Sequence, residues 1–117
     1  MELERIATDN GGLIIELHGE FDAEGAARIR PILENIAEVD DAHQVFLDLN
    51  DVGFLDSSGI GAIVFLFKRL RTRERKLELI GVHGQPQELI ELLRISSAIP
   101  VTLEQRTSTA GDSSCAA

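Results

Sequence analysis

The residues best placed to do chemistry are Asp56-Ser57-Ser58-Gly59-Ile60-Gly61: one carboxylate, two hydroxyls and two glycines in consecutive positions. An aspartate ahead of two serines, at the start of an apolar run, supports two readings. In the first it is a helix cap, the carboxylate accepting from backbone N–H groups that have no partner within the helix. In the second a serine hydroxyl is a regulated group, and the positive end of the helix dipole tolerates the charge of a phosphate added there. A phosphoserine carries about -1.5 to -2 charge at neutral pH. At a helix N-terminus it would change the local surface charge and leave the fold intact, as a binding switch requires. Neighbouring carboxylates, Asp56 in sequence and Glu20 or Asp22 in space, oppose that charge. The two glycines each cost roughly 1 kcal/mol against alanine inside a helix, so close approach by a partner or a strand should compensate.

Other chemistries fit poorly. The Gly-x-Ser-x-Gly elbow of a hydrolase is missing, because Asp56 stands at its first glycine position. No glycine run ends in the Gly-Lys-Ser/Thr of a phosphate loop. His18, His43 and His83 have no companion at ligand spacing along the chain, so no metal site is expected. These residues give no support to a catalytic function and imply no cofactor.

The elements that hold the serine segment follow from hydrophobic period and turn chemistry. Leu3–Thr8 and Leu13–His18 form a hairpin across Asp9-Asn10-Gly11-Gly12. Ile14 breaks the alternation of the second strand, which predicts cover on much of both faces. Gly19-Glu20-Phe21-Asp22 turns the chain, and Asp22 caps a helix whose stripe of Ala26, Ile29, Leu33, Ile36 and Ala37 runs to about Val39. Pro31 predicts a kink in that helix or a late regular start. A strand over Gln44–Leu49, a turn at Asn50-Asp51-Val52-Gly53 and a helix from Ser57 to about Arg73 come next. A strand over Lys76–Val82, a helix opening at Pro86 and a short edge strand over Pro100–Leu103 complete the order β-β-α-β-α-β-α-β.

At 117 residues with 44% hydrophobic and 26% charged side chains, the chain is long enough for one domain with a modest core. A net charge of -9 argues against a general nucleic-acid binder. The one cysteine, Cys115, can form no internal disulfide. No apolar run is long enough for a signal peptide or a membrane span, so the expected location is cytoplasmic. Residues 1–105 are expected to form the domain. From residue 106 onward, Thr, Ser, Ala and Gly predominate and predict a mobile tail. Lys68, Arg69, Arg71, Arg73, Arg75 and Lys76 form a basic cluster, read as a solvated helix C-terminus or as a contact for an acidic partner or lipid head group.

Val45–Leu49, Val52 and Phe54-Leu55-Asp56-Ser57-Ser58-Gly59-Ile60-Gly61, with Gly19-Glu20-Phe21-Asp22 ahead of them, resemble the signature of the STAS-domain anti-sigma factor antagonists. The resemblance covers roughly residues 3 to 104 and is most specific at Asp-Ser-Ser-Gly-x-Gly. It implies an α/β STAS-type fold, a small mixed sheet of four to five strands packed with three to four helices. It also implies that Ser58 is phosphorylated by a GHKL-type serine kinase that doubles as anti-sigma factor. The unmodified form would bind that kinase, and a PP2C-type phosphatase would restore it. Asp56 and Ser57 would shape the site, Gly59 and Gly61 would admit the partner, and Ile60, Glu20 and Asp22 would add to its contact. The alternative is a permanent scaffold subunit of a larger regulatory or lipid-transport complex. Pro31 and the Ser/Thr-rich tail lie outside what the resemblance explains.

Overall fold

The structure, a computed structural model, describes residues 1–103, so the expected tail from residue 106 lies outside the described residues. The elements are β1 (Glu2–Ala7), β2 (Leu13–Phe21), α1 (Ala23–Val39), β3 (Gln44–Leu55), α2 (Ser57–Arg71), β4 (Lys76–Val82), α3 (Gly84–Leu92) and β5 (Val101–Leu103). The strands form one mixed sheet in the order β1-β2-β3-β4-β5, with β1 antiparallel to β2 and every other pair parallel. Five strands and three α-helices agree with the architecture expected from the sequence.

Parallel neighbours need crossovers, and the strand order advances one place at a time. Right-handed connections then bring the helices to one face of the sheet. The burial pattern shows that face. Leu13, Ile15 and Leu17 of β2, Val45, Leu47 and Leu49 of β3, and Leu77 and Leu79 of β4 are all buried. Ile29, Leu33 and Ile36 of α1 and Ile63, Leu66 and Leu70 of α2 join them in a single core. The alternate residues Ile14, Glu16, Phe46, Asp48, Glu78 and Ile80 are only half-buried. The expected double cover of β2 is therefore corrected: Ile14 lies on the open face, in register with Ile6 and Phe46.

Pro31 lies inside α1, which continues through it. Ala27 and Pro31 are both exposed, so the carbonyl that loses its partner faces water, which limits the cost. Two strands run further than their composition predicts. β2 extends through Gly19 to Phe21, and β3 passes through Asn50-Asp51-Val52-Gly53, read above as a turn, to Leu55. Two register shifts accommodate the turn-type residues: after the first Gly19 pairs with Val52, and after the second Glu20 pairs with Phe54 and Phe21 with Leu55. Gly19 has φ +119°, open to glycine at little cost. α2 stops at Arg71, two residues early, and α3 begins at Gly84, placing Pro86 in its first turn.

Half of the basic cluster at the C-terminal end of α2 is tied to the second half of α1 and the turn after it. Arg69 reaches Glu34 at 3.4 Å and Glu38 at 3.1 Å, and Arg73 donates to the Glu38 carbonyl at 3.0 Å. Arg75, buried, donates to the carbonyls of Ala42 and Ala37 at 2.6 and 2.9 Å. The Ala37 carbonyl is one that the end of α1 leaves without an intrahelical partner, and that of Ala42 lies in the connection to β3. Burial pushes the Arg75 guanidinium below its ordinary range, and Asp40, 3.7 Å away, pulls in the opposite direction. These contacts account for Arg69, Arg73 and Arg75 as structural residues.

Candidate functional site

The parallel strands β2, β3 and β4 all deliver their C-terminal ends to the same edge of the sheet, and α1, α2 and α3 begin there. In open α/β sheets this edge is where ligands and partners are met. The extended, bulged tips of β2 and β3 place Glu20 and Phe21 beside Phe54 and Leu55. The Asp56 amide donates to the Phe21 carbonyl at 3.3 Å, locking the two strand exits together. Glu20, Asp22, Asp56, Ser57 and Ser58 thus belong to one neighbourhood.

Two helices start there with the same local device. Asp22 is the N-cap of α1, and its Oδ1 accepts from the Gly25 amide at 2.9 Å. Asp56 is the N-cap of α2, and its Oδ1 accepts from the Ser58 and Gly59 amides at 2.8 and 3.2 Å. Each is an Asp-x-x-Gly turn, and each glycine is buried where a Cβ would strike a β2 carbonyl, that of Glu20 for Gly25 and that of Phe21 for Gly59. The intervening residues differ: Ala23-Glu24 in α1, Ser57-Ser58 in α2. In α2 the carboxylate caps the helix, and neither serine hydroxyl takes part. Ser57 is exposed and Ser58 half-buried.

The glycines and Ile60, grouped in the sequence as partner contacts, separate here. Gly59 is buried against Phe21 and Leu55, and Ile60 is 9% exposed and belongs to the core. Their places are explained by internal packing. Gly61 is exposed, with nothing within 4 Å of an added Cβ. The closeness that offsets the helix cost of glycine is therefore a strand carbonyl at Gly59, whereas Gly61 leaves an open patch one turn from the serines.

Three residues to which sequence reasoning assigned no role at the site also stand at this edge. Phe54, 41% exposed, stands at the β3 tip two positions before Asp56. Gln85 and His83 reach β3 from the start of α3: Gln85 bonds both backbone groups of Leu55, and His83 Nε2 lies 2.8 Å from the Asn50 carbonyl. No spacing rule along the chain predicts a contact over thirty positions. His18 is also less isolated than its sequence suggests. Its Nδ1 is 2.9 Å from Asp51 Oδ2 and its Nε2 3.6 Å from Glu16 Oε1. Its donor atoms and those of Glu4 and Glu16 lie within 4.8 Å of one another. Spacing along the chain shows His18 no companion, and strand pairing brings Glu4 beside it across β1 and β2.

The model of the STAS domain family matches residues 3–110 of the chain. The anti-sigma-B factor antagonist of Listeria monocytogenes is 31% identical over 101 residues, 86% of each chain. The chain belongs to the STAS family of anti-sigma factor antagonists. A solved anti-sigma factor antagonist from Mycobacterium paratuberculosis superposes on this STAS domain with TM-score 0.74, at 19% identity over 86% of both chains. The Bacillus cell fate determinant SpoIIAA, solved in its phosphorylated form, does so with TM-score 0.67, at 16% identity over 88% of this chain and 93% of that one. The STAS fold explains why the motif falls at the strand-to-helix edge. Among the described residues, no helix is long and apolar enough to cross a membrane.

Proposed function

We propose that this STAS domain is a cytoplasmic anti-sigma factor antagonist switched by phosphorylation of Ser58. Unmodified, it binds a GHKL-type serine kinase that is also the anti-sigma factor. The contact runs through Ser57, Ser58 and Gly61 at the start of α2, with Glu20 and Asp22 beside them. Phosphorylated, it is released, because a doubly charged group would have to be desolvated against the kinase surface. A PP2C-type phosphatase restores the binding form.

The observation that carries this reading is the division of labour at the α2 N-terminus. Asp56 alone caps the helix, so the Ser58 hydroxyl is free for modification and a phosphate there disturbs no hydrogen bond of the fold. The helix N-terminus favours the added charge, and Asp56 opposes it. Incubation with ATP and the kinase, followed by mapping of the modified peptide, tests the assignment. One phosphate on Ser58, absent from Ser58→Ala, is the expected result. Undiminished phosphorylation of Ser58→Ala would overturn the site.

A further inference from the structure

The β3 strand is longer than its pairing with β4. β3 runs from Gln44 to Leu55, but β4 pairs with it only from Gln44 to Asp48, opposite Lys76 to Ile80. The β3–β4 ladder stops at Ile80: Gly81, with φ +67°, still packs against Asn50 of β3, and Val82 is in register with Leu103 of β5 on the other edge of β4. Among the described residues, no strand pairs with the last residues of β3, those that lead into Asp56 and Ser58, on their β4 side.

Gln85 fills this gap at one position. Its Oε1 accepts from the Leu55 amide at 2.8 Å, and its Nε2 donates to the Leu55 carbonyl at 2.8 Å. The amide orientation is unambiguous, since a backbone N–H only donates and a backbone C=O only accepts. One side chain thus supplies both bonds that a neighbouring strand would have made. On its other side Leu55 is in register with Phe21, and the next amide, that of Asp56, donates to the Phe21 carbonyl. The Leu55 side chain is fully buried. The peptide just before the cap is held from both edges and from below.

We infer that Gln85 is a positioning residue for Ser58: by clamping Leu55 it fixes the height and angle at which α2 presents the hydroxyl to the kinase. The inference rests on the phospho-switch reading and names the residue on α3 that serves it. Phosphoryl transfer requires the nucleophilic oxygen in line with the transferred group, and a misplacement of about 1 Å can cost on the order of a hundredfold in rate. Gln85 is half-buried behind Leu55, so its loss should disturb presentation of the hydroxyl more than kinase docking.

Gln85→Met keeps the length and bulk of the side chain and deletes both bonds. Hydrogen exchange at the Leu55 amide and steady-state phosphorylation by a GHKL-type serine kinase from the same genome, with ATP, are measured on this variant and the wild type. The expected result is faster exchange at Leu55 with a loss of about tenfold in kcat and KM within about twofold of wild type. Should Gln85→Met fail to fold, Gln85→Glu, which keeps the acceptor for the Leu55 amide, serves the same comparison. Unchanged exchange at Leu55, or faster exchange with wild-type kcat, would overturn the positioning role. A wild type that takes no phosphate would instead sink the switch itself, and the positioning role with it.

Discussion

The two helix N-termini at the site edge form an internal control. α1 and α2 both start with Asp-x-x-Gly, both aspartates accept from backbone amides, and both glycines pack beneath a β2 carbonyl. α1 achieves this with Ala23-Glu24 between the capping aspartate and the buried glycine, and α2 with Ser57-Ser58. A helix start of this shape therefore does not require serines. Glu24 in α1 also follows the ordinary preference for acidic charge in a first turn. α2 has no acidic side chain there, so a phosphate would bring to α2 the charge that α1 has permanently. The difference assigns the cap to Asp56 and gives the hydroxyls no part in it.

The comparison can be broken most sharply at the glycines. Gly25→Ala and Gly59→Ala should each cost about 2 kcal/mol, because the added methyl meets backbone that cannot yield cheaply. Denaturant midpoints that fall for one and not the other would show that the turns are not equivalent. The capping residues come next. Asp22→Ala and Asp56→Ala should each lose about 1 kcal/mol of stability, read from the same unfolding curves. Gly61→Ala should stabilise the domain by up to about 1 kcal/mol, since its Cβ enters open space and alanine favours the helix. In the proposed interface it should also weaken kinase binding, measured by calorimetry. Ser58→Ala should change stability least, within about 0.5 kcal/mol. A larger loss would return the hydroxyl to the cap.

The same division explains how much of the molecule was legible in its sequence. The apolar positions 13, 15 and 17 of β2 and the apolar stripes of α1 and α2 identified the helix-covered face, because burial follows local period, whereas Ile14 misled about the other face. Asp22 and Asp56 were recognisable as caps, since a cap is a local bond. The strand tips were not. Gly19, Asn50, Asp51 and Gly53 have the chemistry of turns, and only pairing between β2 and β3, with its shifts of register, keeps them extended. Gly59 and Gly61 look alike in the sequence, and only the position of the Phe21 carbonyl separates them. Gln85 and the Glu4–Glu16–His18 group depend on contacts between strands and helices distant in the chain. Local rules carry no information about such contacts.

The central claim is that partner affinity follows the charge on Ser58. Its most direct test is calorimetric titration of the kinase with the unmodified and the stoichiometrically phosphorylated domain, under the same buffer and salt. The account predicts that phosphorylation weakens binding by at least about tenfold, or roughly 1.4 kcal/mol, with the fold unchanged by circular dichroism. Equal affinities for the two forms would contradict it and would favour a permanent scaffold subunit over a switch.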